Sequence, residues 1–570
     1  MQKPVWKIFL LGALIGVLSF LVVYGVTPLD PTRVNWIGLG YDEWDIQQRY
    51  AGWMAYRNSD WRFPLGDANA WGYPAENGVN IAFSDSVPWV CVLFKLLSPV
   101  LPGTFQWEGI YALAGFALQG GAAAMLLSLF LNSWLTTSAA TLFFTFSPVL
   151  LEREFRHTSL ASHYLILFAL YFYFKYRRTP GKYPWQMFLL PAVAVGITPY
   201  FLPMVAVFIL AMCVDQVRLS HKPAGPLLYF LGSCACGIAA AFAIGSVGHG
   251  YSAVREQGAY GTYSMNLNAV INPRSCGGYT WSQFLPQREQ LYGQYDGFNY
   301  LGAGVMAFLA LDLLLLLWIA ARRPGAGERL KKSLGRNGTL LPVCLLLTLF
   351  AVSNVVCFDG AELFTVPLPR PLVALCSVFR ASSRLFYPVY YLLMLAAVVV
   401  FAKALAIFGK QRFLLAGVVA FAGLQLFDLS GAIMQKHADM DQRAQNSLGL
   451  PAELQDLSGY RVLYVTDELV AWGSRNVLCA VYGPGMKTNT WDTNTSPAAT
   501  GPNWYYMNQT QEQLQQGQYS EDTLYVTIDA ARYEQWQRTF ADADVRFVTW
   551  EVEDPRGPYY FMLPVHSGAE

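Results

Sequence analysis

The stretch Ile8-Phe9-Leu10-Leu11-Gly12-Ala13-Leu14-Ile15-Gly16-Val17-Leu18-Ser19-Phe20-Leu21-Val22-Val23-Tyr24-Gly25-Val26 carries no charge and is about as long as a helix must be to cross a bilayer. Lys3 and Lys7 precede it, as in a signal peptide. The following Thr27-Pro28-Leu29-Asp30 lacks a small-x-small cleavage pattern, so the run reads as an uncleaved first span. Further apolar runs lie near 107–131, 134–150, 160–174, 186–197, 200–214, 226–245, 299–321, 339–357, 387–406 and 413–430. The chain therefore reads as an α-helical polytopic membrane protein with about eleven transmembrane helices. Val87 to Leu101, interrupted by Lys95 and Pro99, reads instead as a re-entrant or surface-lying helix.

Composition agrees with that reading. Of 570 residues, 54% are hydrophobic and 14% charged, where a soluble domain is about a quarter charged. Thirty-nine Lys and Arg against 38 Asp and Glu leave a net charge of +1, which gives no basic field to hold nucleic acid. The nine cysteines form no CxxC or His/Cys spacing; Cys234 and Cys236 read as small packing residues within an apolar helix.

The basic residues fall in one set of loops: Lys175 to Lys182, Arg218 to Lys222, Arg322 to Arg336, and Lys410 to Arg412. These face the cytoplasm by the positive-inside rule. Alternation of the spans puts 27–106, 151–159, 246–298, 358–386 and everything after 431 on the outer side. The membrane part then covers 1–432, with a large first outer loop at 27–106. From about 433 to 570 hydropathy drops. Runs at Tyr460 to Val465, Val477 to Tyr482, Thr523 to Thr527, Val545 to Val552 and Tyr559 to Val565 read as strands around helix-forming pieces such as Ala530 to Phe540. This is the pattern of a small extracytoplasmic α/β domain.

Candidate chemistry collects in the outer loops. In the first, Asp42, Glu43 and Asp45 lie within four positions, and Asp42 and Asp45 at i and i+3 share a helical face. Such a pair binds a metal or deprotonates a hydroxyl; Glu43 reads as solvated. Gln48, Trp53, Arg57, Trp61 and Asp85 follow in a dense alternation of aromatic and polar residues, which suits a carbohydrate or prenyl headgroup and equally an interfacial aromatic belt. Glu152-Arg153-Glu154-Phe155-Arg156-His157 offers guanidinium groups and an imidazole to an anionic lipid headgroup, with internal pairing to Glu152 and Glu154 as the alternative. Arg380 and Arg384, at i and i+4, form a two-pronged phosphate clamp if they share a helix, or snorkel at its end. Gln294 and Tyr300 belong to a polar-aromatic loop that contacts an acceptor or caps a cavity.

Several motifs carry a resemblance. They are Asp45, Gln48, Tyr50, Gly52 and Trp53; Trp61, Pro64, Leu65 and Gly66; Asp85, Ser86 and Pro88; Arg156, His157, Ser159 and Leu160; Gly293, Gln294, Gly297, Phe298 and Tyr300 to Gly302; and Phe379 to Ser382 with Arg384. In this order they resemble a bacterial family of polytopic membrane proteins of unassigned detailed function, grouped with the GT-C glycosyltransferases. The chain departs from the pattern at Arg49, where a histidine is expected. The resemblance implies a sugar donor on a polyprenyl phosphate, an extracytoplasmic glycan or glycolipid acceptor, and an active site at the outer face of a bacterial inner membrane. It also implies a catalytic carboxylate in the first outer loop. On that view Asp45 is the base, with Asp42 and Asp85 beside it, and Arg380, Arg384, Arg153, Arg156 and His157 are the phosphate side. Mg or Mn between Asp42 and Asp45 is compatible with this chemistry, and the sequence does not require it. A lipid-linked glycan transporter or flippase, and a glycan polymerase or ligase, are the competing readings. No repeat between halves is evident, and the charges collect in outer loops rather than at mid-membrane depth.

Overall fold

A computed structural model describes residues 4–37, 45–70, 79–247, 260–322, 325, 328, 335, 337–445, 447–466, 471–490, 500–552 and 558–565. Asp42 and Glu43, and with them the Asp42–Asp45 pairing, lie outside the described residues. The helices of the membrane part are α1 (Val5–Tyr24), α2 (Ile46–Asn58), α3 (Pro88–Leu97), α4 (Glu108–Ser128), α5 (Trp134–Thr145), α6 (Pro148–Arg153), α7 (Tyr164–Tyr176), α8 (Trp185–Val195), α9 (Phe201–Ser220), α10 (Ala224–Ile244), α11 (Ala303–Arg322), α12 (Leu340–Val352), α13 (Arg370–Cys376), α14 (Tyr387–Ile407), α15 (Leu414–Asp428) and α16 (Ser430–Ala444).

Among the described residues seven helical segments are long and apolar enough to cross a membrane: α1, α4, α9, α10, α11, Ser382–Ile407 and Gln411–Asp428. The other four apolar runs fold as shorter helices, α5 of 12 residues, α7 and α12 of 13 and α8 of 11. At about 1.5 Å per residue these reach about 20 Å or less, short of the roughly 30 Å hydrocarbon core. Local chemistry explains each shortening. Pro148 starts a new helix after α5, the turn Thr158–Ala161 precedes α7, Pro199 follows α8, and Ser353 ends α12 at φ 70°.

Helix α1 shows how the bundle packs. Its lipid-facing stripe is Leu10, Leu14, Leu18 and Val22, all exposed, while Gly12, Gly16, Ser19, Phe20 and Val23 are buried. A Cβ on Gly12 would lie 2.3 Å from the Gly120 carbonyl oxygen, and one on Gly16 would lie 1.9 Å from that of Phe116. Only glycine lets α1 and α4 approach backbone to backbone, the small-residue packing of membrane helices.

In the C-terminal part α17 (Ala471–Val481), α18 (Thr500–Gln515) and α19 (Ala530–Thr539) accompany a five-stranded sheet. Numbering strands along the whole chain, β1 is Asp67–Ala68, β2 Val79–Asn80, β3 Val355–Phe358, β4 Ala361–Thr365, β5 Val462–Val465, β6 Lys487–Thr488, β7 Thr523–Thr527, β8 Val545–Trp550 and β9 Tyr559–Pro564. The sheet runs β6-β5-β7-β9-β8, parallel through β7 and antiparallel beyond it. Of Val477 to Tyr482, expected as a strand, Val477 to Val481 is instead the end of α17 and Tyr482 follows it. A short apolar run does not by itself separate a strand from a buried helix. The unit docks on the first loop: Asn58 Nδ2 donates to the carbonyls of Gly483 and Met486, and Thr488 N–H donates to the Ala70 carbonyl at 3.0 Å.

Candidate active site

The turn after α6 organises the site. Phe155 adopts φ 63°, the left-handed region that a bulky residue rarely occupies, and its ring sits against Trp36, Tyr24 and Phe20 at 5.2, 5.0 and 6.3 Å. With the ring anchored, the carbonyls of Phe155 and Arg156 face Arg49, which donates to them at 2.9 and 3.2 Å. The next residue, His157, is thereby set against the start of α2. Its Nε2 lies 3.1 Å from Asp45 Oδ2. Asp45 caps no helical N–H with its side chain; the carboxylate turns to His157 and to Arg475, whose Nη1 is 3.5 Å from Oδ1.

A second centre is Asp296. Arg153 Nη1 donates to its Oδ1 at 2.8 Å, and Arg384 grips it in bidentate fashion, Nε to Oδ2 and Nη2 to Oδ1 both at 2.9 Å. The two centres meet at His157, whose Nδ1 is 3.5 Å from Arg153 Nη1. Arg153 also donates to the Tyr387 hydroxyl, and the Arg384 guanidinium lies 4.6 Å from the Tyr200 ring centroid. Asp85 completes the cluster at φ 54°, with Oδ2 3.6 Å from Arg49 Nη1 and without a hydrogen-bond partner among the described residues. Asp296 and Arg153 form a closed floor, each 3% exposed, whereas Asp45 and His157 at 17%, Asp85 at 18% and Arg384 at 15% line the accessible side.

These neighbours separate the two first-loop carboxylates electrically. For Asp45, burial works upward, but the hydrogen bond from His157 and the charges of Arg475 and Arg49 win, and it falls to about 2. For Asp85, burial and the charge of Asp45 outweigh Arg49 and Arg384 and push it up to about 7. Burial, together with Arg153 and Arg384, holds His157 down to about 4 despite Asp45. At neutral pH the cluster thus contains an ionised Asp45, a neutral imidazole, and, at Asp85, a carboxyl group that holds its proton more tightly than an ordinary one. Behind it, burial lifts Glu154 to about 8.

The site residues expected from the sequence divide accordingly. Asp45, Asp85, His157, Arg153 and Arg384 converge. Arg156 pairs with Glu152 and contributes to the cluster through its carbonyl. The two-pronged clamp of Arg380 and Arg384 is corrected: the helix breaks at Ala381, where φ is −83° and ψ 69°, so the two arginines share no helical face. Arg384 is committed to Asp296, whereas Arg380 is exposed, 5.4 Å from the Tyr263 ring centroid. Trp53 is fully buried and donates from Nε1 to the Phe105 carbonyl; Tyr300 is fully buried and bonds Asp428; Gln294 is buried between Asn266 and Ser264. Arg57 donates to the carbonyls of Pro102 and Gly103, and Gln48 accepts from Arg475. Trp61 is exposed beside Lys95. Trp53, Tyr300, Gln294, Arg57 and Gln48 are tied to the scaffold by these bonds, and Trp61 stands at the surface.

Four participants escaped the sequence reading. Glu108, inside an apolar run, carried a signal, since an ionisable residue there needs a partner; its Oε1 accepts from Arg49 Nε at 3.0 Å. Arg49 stood out only as a departure from the histidine the resemblance leads one to expect, and Asp296 and Arg475 carried no signal that spacing reveals. Among the described residues no group of three or more His, Cys, Asp and Glu is placed to hold a metal ion.

The fold and site together define a helical membrane protein with a buried cluster of three carboxylates, Asp45, Asp85 and Asp296, an imidazole and arginines. The chain belongs to the family described as Domain of unknown function (DUF6311), whose model matches residues 13–430. No curated relative matches. Among solved structures, the archaeal oligosaccharyltransferase AglB from Archaeoglobus fulgidus, in complex with an inhibitory peptide and a dolichol-phosphate, is similar at 12% identity and a TM-score of 0.39. That alignment covers 99% of this chain and 75% of that one.

Proposed function

We propose that the chain is a GT-C type membrane glycosyltransferase that moves a sugar from a polyprenyl-phosphate donor to a hydroxyl of an extracytoplasmic glycan or glycolipid. The observation that carries this reading is the pair of carboxylates pushed apart, Asp45 to about 2 and Asp85 to about 7, beside the arginines of the Asp296 centre. Two titratable groups separated by their environments are the signature of divided acid–base roles. Transfer needs a group that takes the acceptor's proton and cations that steady the departing phosphate.

Asp85 is the better base, because a carboxylate at about 2 binds a proton too weakly at neutral pH while one near 7 is matched to it. Asp45 stays ionised, orients His157 and keeps Asp85 poised. The acceptor oxygen bonds to the anomeric carbon, its proton passes to Asp85, and the bond from that carbon to the phosphate oxygen breaks. The polyprenyl phosphate leaves toward Arg384 and Arg380, and this single displacement inverts the anomeric centre. In this reading residues 1–432 hold the membrane machinery and 433–570 form a domain outside the cytoplasm. The test is transfer by the purified chain in nanodiscs, supplied with a panel of polyprenyl-phosphate sugars and acceptor glycans and read by mass spectrometry. Near-normal turnover by both Asp85→Asn and Asp45→Asn would remove the assignment.

One observation favours the transport reading. Asp312 is buried midway along α11, and neither carboxylate oxygen has a hydrogen-bond partner among the described residues. Membrane-depth carboxyl groups of this kind accompany transported ions or polar cargo. Movement of a fluorescent lipid-linked glycan between leaflets of proteoliposomes, lost in Asp312→Asn, would select it.

A further inference from the structure

Residues 355–380 connect α12 to the span that begins at Ser382, and they present an apolar surface that nothing in the chain covers among the described residues. β3 and β4 stand out as a two-stranded hairpin, and all five residues of β4 are exposed. The helical segment Arg370–Phe379 follows, and its α13 portion buries no residue. Leu363, Phe364, Val366, Leu372, Leu375 and Val378 are all exposed, Leu375 at 67%. A lone two-stranded hairpin is marginal in water, and so short a helix does not hold by itself. A contiguous apolar patch marks a surface with a partner.

The partner follows from where the ends are tied. α12 enters from one side with Leu341, Leu345, Leu346 and Leu349 exposed, the lipid-facing stripe of an apolar helix, and a spanning segment leaves from the other. The apolar surface of the strap continues that stripe. Leu372, Leu375 and Val378, at i, i+3 and i+6, lie on one helical face, and exposed Arg370 and Arg380 bracket them. Cations flanking an apolar stripe are the arrangement of a helix lying in the headgroup layer. Two bonds of the strap and one of the residue that follows it set it on the side of the candidate active site. Tyr260 N–H donates to Ser377 Oγ at 3.3 Å, Asn266 Nδ2 donates to the Asp359 carbonyl at 2.9 Å, and Ala381 N–H donates to the Tyr200 hydroxyl at 3.2 Å.

We infer that residues 355–380 are an interfacial strap that lies in the headgroup layer of the bilayer leaflet beside the site, with Arg370 and Arg380 level with the lipid phosphates. Four residues beyond Arg380 stands Arg384, so a lipid-borne phosphate moving sideways along the strap passes from the exposed arginine to the site. This last consequence rests on the proposed reaction; the docking does not. The test places p-azidophenylalanine at Phe364 and at Leu375, with Glu534 on α19 as the water-facing control, in the full chain. Each variant is reconstituted in phosphatidylcholine–phosphatidylglycerol nanodiscs, checked for an unchanged melting temperature and illuminated. Lipid adducts by mass spectrometry are expected at 364 and 375 and not at 534. Crosslinks at 364 and 375 only within the protein or to a second copy, without lipid, would overturn the strap. Lipid adducts from a chain with no glycosyl transfer would support the strap while removing the proposed reaction.

Discussion

Arg49 Nε lies 3.0 Å from Glu108 Oε1 in an ion pair that neither side chain shows to solvent, at 0% and 2% exposure. The same guanidinium donates to the carbonyls of Phe155 and Arg156 and to the Thr158 hydroxyl, so one side chain joins α2, α4 and the turn carrying His157. Here the chain departs from the residue expected by resemblance, and it puts a cation where those carbonyls and two carboxylates converge.

Arg49→Met strands Glu108 in a buried setting. A loss of about 3–5 kcal/mol is expected by denaturant or thermal unfolding, with much of it recovered in Arg49→Met/Glu108→Leu, since removing both charges is far milder than orphaning one. Equal instability of the single and double variants would contradict this account.

Asp85→Asn is expected to lower transfer by about a hundred- to ten-thousand-fold. Its stability signature has a definite sign. The folded-state value, about 7, lies above the ordinary aspartate value of 3.8, so the folded protein holds this proton more tightly than the unfolded chain. That stabilisation is full below about pH 4 and is lost as pH rises toward 7. The variant should therefore gain melting temperature over wild type as the buffer moves from pH 5 to pH 8; a pH-independent difference would refute the shift.

Asp45→Asn removes the like charge that raises Asp85 and the anchor of His157. The acid limb of the rate profile should move to lower pH, with at least about a tenfold fall in rate at neutrality. Asp45 itself has the opposite linkage to Asp85. Depressed from 3.8 to about 2, its contribution is present above about pH 4 and lost as pH falls through 2. An unmoved acid limb would show that Asp45 does not set the proton affinity of the base.

Arg384 and Arg380 should separate in experiment. Arg384→Ala leaves Asp296 with Arg153 and the Ser383 hydroxyl and lowers the melting temperature, because the fork and its position over Tyr200 are lost. Arg380→Ala should fold normally and weaken binding of a polyprenyl phosphate, measured by native mass spectrometry. Unchanged lipid binding in Arg380→Ala would remove that residue from the phosphate path.

A reporter fused after Glu570 should behave as extracytoplasmic, as the basic loops Lys175 to Lys182 and Lys410 to Arg412 require. Cytoplasmic activity of the reporter would reverse the topology and the side on which the site opens.

The helices of the membrane part were legible because lipid-facing residues such as Leu10, Leu14 and Leu18 make apolar runs that need no partner to be recognised. Their lengths were less so: the ends at Ser353 and before Pro148 depend on backbone turns that hydropathy does not register. Asp45, Asp85, His157, Arg153 and Arg384 stood out as polar groups at membrane boundaries. Their pairing did not. Arg153 and Asp296 are 143 positions apart, and a contact over that distance leaves no periodicity in either segment. The i, i+4 spacing of Arg380 and Arg384 misled for a related reason, since it presumes a helix that Ala381 interrupts.

Arg475 gives the site a place in time as well as in space. It is 427 positions beyond Gln48, whose side chain it holds, and it is the last of the clustered charges to leave the ribosome. A nascent chain whose membrane helices are already inserted still lacks the cation that faces Asp45. Assembly of the centre therefore waits for the domain that carries α17 to fold against the first loop, and a translation product interrupted before it is left without a finished one.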